Sequence, residues 1–264
     1  MATEKGLTAL ARTLVANGPH KSEPSPKRVR VLFSQTWIAD TTAAVYVWDH
    51  PHFPQYYLPL SAFPTPSILS KQKPITASSS TSEPIAHLCA LTLPPHSTPS
   101  TTLVFCAGAG PLADLVRIPF SEADAWFEED VEIYVHPKDP YKRVDTLPSR
   151  REVRVEVGGR EVARSQGGVW LFETGLPVRY YLEKTAVDWS VLTPSETVTR
   201  CPYKGEANYY NVTIDGTEYK DAIWWYRYPT PESIAIAGRL CFYNEKVDIY
   251  LDGIKQERPK TKFG

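Results

Sequence analysis

A thiol, an amine, a carboxylate, an amide and three phenols fall within ten consecutive residues, Cys201-Pro202-Tyr203-Lys204-Gly205-Glu206-Ala207-Asn208-Tyr209-Tyr210. A cysteine becomes a nucleophile when a neighbouring cation lowers its pKa, and Lys204 lies three residues from Cys201 across a tight turn. The plainer alternative is a small buried thiol that closes the turn. Lys204 itself is suited to a Schiff base with a carbonyl, or to holding a carboxylate or phosphate as a point charge; otherwise it is a surface lysine on a turn. Glu173, ahead of Thr174-Gly175, is a candidate general base once aromatic neighbours bury it and raise its pKa, against the reading of a solvated strand end. Tyr210 is a second candidate for moving a proton. Arg179 would share an anionic group with Lys204, and Tyr181, Tyr203, Asn208 and Trp224 would line the ligand.

These groups need a scaffold, and turn residues and period-two alternation supply it. Pro202 and Gly205 bracket the turn, and 208–214 runs on as a strand rich in aromatic and β-branched residues. Val153, Val155 and Val157 alternate before Gly158-Gly159, a hairpin signal. Further strands are expected over 161–165, 169–173, 179–182, 209–214, 222–226 and 246–252, with 231–240 as the one helical segment. Tyr180, Tyr181, Tyr209, Tyr210, Trp224, Trp225 and Tyr226 alternate along three of these strands, so about half face inward, as core or as pocket lining.

The chain repeats itself. Val29-Arg30-Val31 recurs as Val153-Arg154-Val155, 124 positions on, and at the same shift Trp48 meets Phe172, Asp49 meets Glu173 and Tyr56-Tyr57-Leu58 meets Tyr180-Tyr181-Leu182. This gives two homologous β-domains over 26–138 and 151–258, behind an N-terminal helix and linker over 1–25 and joined by a linker over 139–150. Leu7, Leu10, Ala11, Leu14 and Val15 share one helical face with Gly18 as the stop, a docking helix; a transit peptide is the sharper reading, opposed by Glu4 and the scarcity of arginine. Residues 63–83 and 94–102, rich in Pro, Ser and Thr, read as disordered insertions of the first copy. At a shift of 121 the strand at 207–214 survives as 86–93, but Cys201, Lys204, Gly205 and Glu206 fall opposite Ser80, Glu83, Pro84 and Ile85. The polar cluster therefore exists in one copy only, which argues that it serves function rather than folding.

Composition removes several alternatives. A net charge of -1 with interspersed signs lacks the basic footprint of a nucleic-acid binder. No apolar run reaches the length of a membrane span, and the N-terminus lacks the apolar core of a signal peptide, so the expected location is the cytosol. Four widely spaced cysteines, Cys89, Cys106, Cys201 and Cys241, form no metal or dithiol motif, and no metal or other cofactor is expected. All six histidines precede the second domain, and His50-Pro51-His52 of the first domain reads as a solvated loop. Catalysis within the second domain must therefore run on Glu, Asp, Lys, Tyr or Cys.

Leu171-Phe172-Glu173-Thr174-Gly175 with Pro177 and Tyr180-Tyr181, the run Cys201 to Ala207 with Tyr209-Tyr210, residues 222–226 with Pro229, and Ile236-Ala237-Gly238 before Phe242-Tyr243 together resemble the family catalogued as domain of unknown function 427. The resemblance covers the second domain, and the first looks like a divergent copy without the Cys-Pro-Tyr-Lys-Gly turn. It implies a mainly β, tent-like fold of two antiparallel sheets without the metal cysteines of more distant relatives, and it carries no activity. The residues themselves favour a cofactor-independent enzyme acting on a small anionic or carbonyl-bearing, partly aromatic molecule. The rival is a non-catalytic module that holds a small ligand or peptide in an aromatic cage, and a structural protein of two stacked copies is the third reading. The expected partner is a small molecule, with a homodimer as the compatible assembly.

Overall fold

Along Val153–Val157 the three valines are buried and the two charged residues half-buried, so one face of the strand makes core and the other meets solvent. Gly158 and Gly159 then turn the chain with φ of 58° and 81°, the double positive φ of a tight hairpin, and Arg160–Ser165 returns alongside. The first copy makes the same turn with Ser34 and Gln35, at φ of 47° and 60°, so two side chains occupy a conformation that glycine adopts without strain.

The computed structural model describes residues 3–78, 83–93 and 99–261. The chain divides into two units, Met1–Asp139 and Pro140–Gly264. Each unit is mainly β, with one seven-stranded and one four-stranded sheet, all pairs antiparallel among the described residues. In the second unit the large sheet runs Val144–Ser149, Gly168–Glu173, Arg179–Leu182, Leu240–Phe242, Thr217–Pro229, Gly205–Ile214, Leu192–Cys201. The first unit repeats that order with Lys21–Pro24, Val45–Trp48, Gln55–Pro59, Leu115–Arg117, Ser100–Phe105, Pro84–Leu91 and Leu69–Thr76. The repeat read in the sequence is thus a repeat of topology, strand for strand.

In the second unit the inner face of the large sheet contributes Val212, Ile214, Ile223 and Phe242 to a core shared with Val153, Val155 and Ile249 of the small sheet. Its outer face carries a separate buried cluster containing Leu171, Tyr181, Ala207, Tyr209, Trp224, Tyr226 and Cys241. In the first unit the equivalent outer face is covered by the helix Glu4–Asn17, which buries Leu7, Ala11 and Leu14 there. Thr3 caps that helix by accepting from the Gly6 N–H at 3.1 Å, and Gly18, at φ 74°, ends it.

Several expectations need correction. The linker at 139–150 contains Val144–Ser149, an edge strand paired with Gly168–Glu173. The insertions expected to be disordered contain Leu69–Thr76 and the start of Ser100–Phe105, while 79–82 and 94–98 lie outside the described residues. An edge strand is held by backbone hydrogen bonds and needs few apolar side chains; Leu69 and Ile75 alone are buried in Leu69–Thr76, which is why composition misread it. The helical segment at 231–240 is a short 3-10 helix, Pro231–Ile236, stopped by Gly238 at φ 68° and followed by the strand Leu240–Phe242. No helix among the described residues is long and apolar enough to cross a membrane.

Gly168 tests the tightness of the outer strands. A Cβ there would stand 2.7 Å from the Tyr181 carbonyl oxygen, in backbone that cannot swing aside. Gly168→Ala is expected to cost about 1–3 kcal/mol in denaturant unfolding, the usual price of overpacking. Unchanged stability would mean that the two strands separate freely.

Candidate functional site

The ten-residue stretch forms the tip of a hairpin. Cys201 pairs with Gly205, leaving Pro202, Tyr203 and Lys204 as the loop, and the Lys204 N–H donates to the Cys201 carbonyl at 3.3 Å. Gly205 closes the turn at φ 100°, where its absent side chain leaves room for the Tyr228 carbonyl oxygen. A second strap holds the loop from behind: the Thr230 N–H donates to the Lys204 carbonyl at 3.1 Å, and the Thr230 and Ser233 hydroxyls donate to the Tyr203 carbonyl at 2.6 and 3.1 Å. Its backbone is therefore fixed on both sides.

From this tip the Lys204 ammonium reaches the Glu173 carboxylate, and both side chains are largely buried, at 12% and 8% exposure. Glu173 lies on Gly168–Glu173, four places from Gly205–Ile214 in the strand order, so the pair joins parts of the sheet that are not neighbours. Burial by itself lowers the Lys204 pKa, but the facing Cys201 sulfur and Glu173 carboxylate outweigh it and raise the value. Lys204 is accordingly a cation at neutral pH, with a thiol and a carboxylate both within its reach.

The floor of the site is one cross-strand row. Val169 pairs with Tyr181, Tyr181 with Cys241, Cys241 with Trp224 and Trp224 with Tyr209. Strand alternation puts these side chains on the same outer face. The Trp224 indole N–H donates to the Tyr181 hydroxyl at 3.0 Å, and the Tyr209 and Thr199 hydroxyls share a hydrogen bond at 2.6 Å. Burial pushes the Tyr181, Tyr226 and Cys241 pKa values up, so these groups stay neutral around the Lys204 charge.

Of the residues singled out in the sequence, Glu173, Cys201 and Lys204 come together, with Tyr181 and Trp224 beneath them. Tyr203 takes part through its backbone carbonyl. Arg179 is not available to an anionic ligand: its guanidinium makes a two-pronged ion pair with Glu245, both contacts 2.7 Å, and its face lies 5.3 Å from the Trp224 ring. Tyr210 and Asn208 alternate to the opposite face, where Tyr210 stacks on Trp225 at 6.3 Å and meets the edge of Trp189 at 5.5 Å. Neither belongs to the site.

Sequence reasoning left Tyr209 and Tyr226 open between core and pocket lining, and it missed Cys241. Parity would have supplied the first two, since Ala207 and Tyr209, like Trp224 and Tyr226, share a face. Cys241 had no local signal, because the three-residue strand Leu240–Phe242 is defined only by its neighbours. Among the described residues no group of three or more His, Cys, Asp or Glu is placed to hold a metal ion.

The first unit keeps the acid and changes its partner. Asp49, at the position of Glu173, accepts from Arg117 Nε at 2.7 Å and from the Tyr57 hydroxyl at 3.3 Å. Leu58 pairs with Val116 as Leu182 pairs with Leu240, so Arg117 stands where the second unit has Cys241. A buried carboxylate is thus neutralised at the same place in both copies, once from the sheet and once from the hairpin tip.

The model of one protein family, described as "Domain of unknown function (DUF427)", matches residues 21–80 and 145–253, more than half of the chain and parts of both units. No curated protein matches the chain.

Proposed function

Because the chain belongs to the DUF427 family, whose description names no activity, we propose from its own geometry that the second unit is a cofactor-independent enzyme acting on a small carbonyl-bearing molecule, with Cys201 as nucleophile. The observation that carries this reading is the buried Lys204 cation, held by Glu173 and facing the Cys201 sulfur. The ammonium is placed to balance negative charge that develops on the sulfur or on a bound carbonyl oxygen. In the proposed step the Cys201 S–H proton passes to solvent as the sulfur forms a C–S bond to the carbonyl carbon, the carbonyl π electrons move to oxygen, and the Lys204 ammonium balances the oxyanion of the tetrahedral adduct. Glu173 acts through Lys204 and is a positioning residue. Tyr181, Tyr209, Tyr226 and Trp224 supply an aromatic, hydrogen-bonding floor that suits a partly aromatic ligand. The reading takes the protein as cytosolic, where its four free cysteines stay reduced. The rival is a non-catalytic binding module, favoured by the Asp49–Arg117 pair, in which a compensated carboxylate occupies the same place in the first unit and Arg117 stands in the position of Cys241.

Alkylation separates the two. Cys201 and Cys106 are both partly exposed, whereas Cys89 and Cys241 are buried. With limiting iodoacetamide at neutral pH, peptide mapping is expected to find Cys201 labelled at least about tenfold faster than Cys106, an advantage that Lys204→Met removes. Labelling of Cys201 at the Cys106 rate, unchanged by Lys204→Met, would end the nucleophile reading.

A further inference from the structure

The first unit has a polar centre of its own, built from groups that the second unit lacks. The Asp49 side chain is 1% exposed, and its Oδ2 takes both the Arg117 Nε–H and the Tyr57 hydroxyl. Arg117 thereby spends one corner of its guanidinium on the carboxylate. Its Nη1 is also buried and has no hydrogen-bond partner among the described residues. A guanidinium N–H withdrawn from water with no acceptor carries an uncompensated desolvation cost, and native proteins leave few such groups without a purpose.

His50 approaches the other oxygen of the same carboxylate, its Nε2 being 3.9 Å from Oδ1. That is too long for a hydrogen bond, so the pair is not closed. The ring tautomer follows from the loop: Nδ1 accepts the His52 N–H at 3.2 Å, which places the proton of the neutral imidazole on Nε2. Phe53 meets the ring edge-on at 4.2 Å and is itself stacked on His136 at 3.8 Å, so the imidazole is held in orientation. The His50 side chain is 33% exposed, which gives solvent a route to it. His52, with its ring 5.8 Å away, and His20 are further imidazoles within electrostatic reach of His50. Arg117 lies within electrostatic reach of His50, so an unpartnered guanidinium N–H and an imidazole N–H gather around a carboxylate that is already compensated, with further imidazoles beside them.

We propose that the first unit binds a small oxyanion, with Arg117 Nη1 and His50 Nε2 as the donors and Asp49 and Tyr57 fixing the guanidinium between them. Planar, forked donors next to an oriented imidazole match phosphate and carboxylate oxygens, which both present two acceptors on one face. The site is independent of the Cys201 chemistry. It is also distinct in kind, since the topologically matching position in the second unit holds Cys241 and that unit contains no histidine.

The test is a titration of the full chain with inorganic phosphate and, separately, with acetate, each against sodium chloride of matched ionic strength, read from the His50 Cε1–H resonance. The expected result is a saturable His50 shift with at least one of the two anions and none with chloride; the two arms show whether phosphate or carboxylate chemistry is preferred. Arg117→Lys keeps the charge that compensates Asp49 but loses the fork, and is expected to weaken binding about tenfold or more. His50→Gln, at a part-exposed loop position, leaves the fold intact and is expected to abolish the phosphate- or acetate-dependent rise in melting temperature that the wild type shows. The absence of a saturable shift with either anion up to about a hundred millimolar, or binding undiminished in both variants, would overturn the proposal, because anions held this loosely owe nothing to a built site.

Discussion

Lys204→Met is expected to destabilise the second unit by about 3–5 kcal/mol, because among the described residues it removes the side chain that pairs with the buried Glu173 carboxylate and leaves that charge uncompensated. Methionine keeps most of the lysine stem and its packing, so the loss reports charge rather than volume. Glu173→Gln in the same chain is expected to recover most of the loss, since two neutral groups of similar shape need no partner ion. The first unit suggests a second rescue. Cys241→Arg in the Lys204→Met background would reproduce the geometry of Arg117 and Asp49 and is expected to recover part of the stability, the rest being lost to overpacking at a fully buried position. Urea unfolding of the four chains decides the matter. A loss below about 1 kcal/mol for Lys204→Met would mean that Glu173 is already neutral or hydrated. The same series separates stability from chemistry: Glu173→Gln/Lys204→Met is expected to fold but to lose the fast alkylation of Cys201.

Arg179 and Glu245 carry the second large effect. Their two-pronged contact has side chains 9% and 2% exposed, and Arg179→Met is expected to cost about 3–5 kcal/mol by stranding Glu245. This pair also sets an acid limit. Burial acts to raise the Glu245 pKa, but hydrogen bonds from Arg179 and Thr261 prevail and hold it down at about 2. A carboxyl with a lower pKa in the folded than in the unfolded chain stabilises fully above the unfolded value of about 4.3 and loses that contribution as pH falls through the folded value. Wild-type stability is therefore expected to drop between about pH 4 and pH 2, and Glu245→Gln to flatten that part of the profile. Parallel profiles for the two proteins would show that Glu245 titrates normally and that the ion pair is weak. Arg179→Met is not expected to alter Cys201 alkylation, because its guanidinium is occupied by Glu245.

The sequence determined the repeat, the β class and the location of the Cys201 turn. Val153, Val155 and Val157 before two glycines define a strand and hairpin by local pattern alone, and the 124-residue shift carries that pattern from one copy to the other. Short-range rules suffice where a residue's environment is set by its own strand and turn. They failed for Val144–Ser149, Leu69–Thr76 and Leu192–Cys201, the edge strands, because backbone pairing with a neighbour holds such strands and few of their side chains are fully buried. The site divides along the same line. Cys201 and Lys204 stand together because only Pro202 and Tyr203 separate them in a tight turn. The partnership of Lys204 with Glu173, the loss of Arg179 to Glu245, the exclusion of Tyr210 by strand parity and the exchange of Cys241 for Arg117 all depend on which strands lie side by side and in what register. Charge compensation of a buried group is a contact between residues distant in sequence, so only the folded sheet could assign each acid its cation.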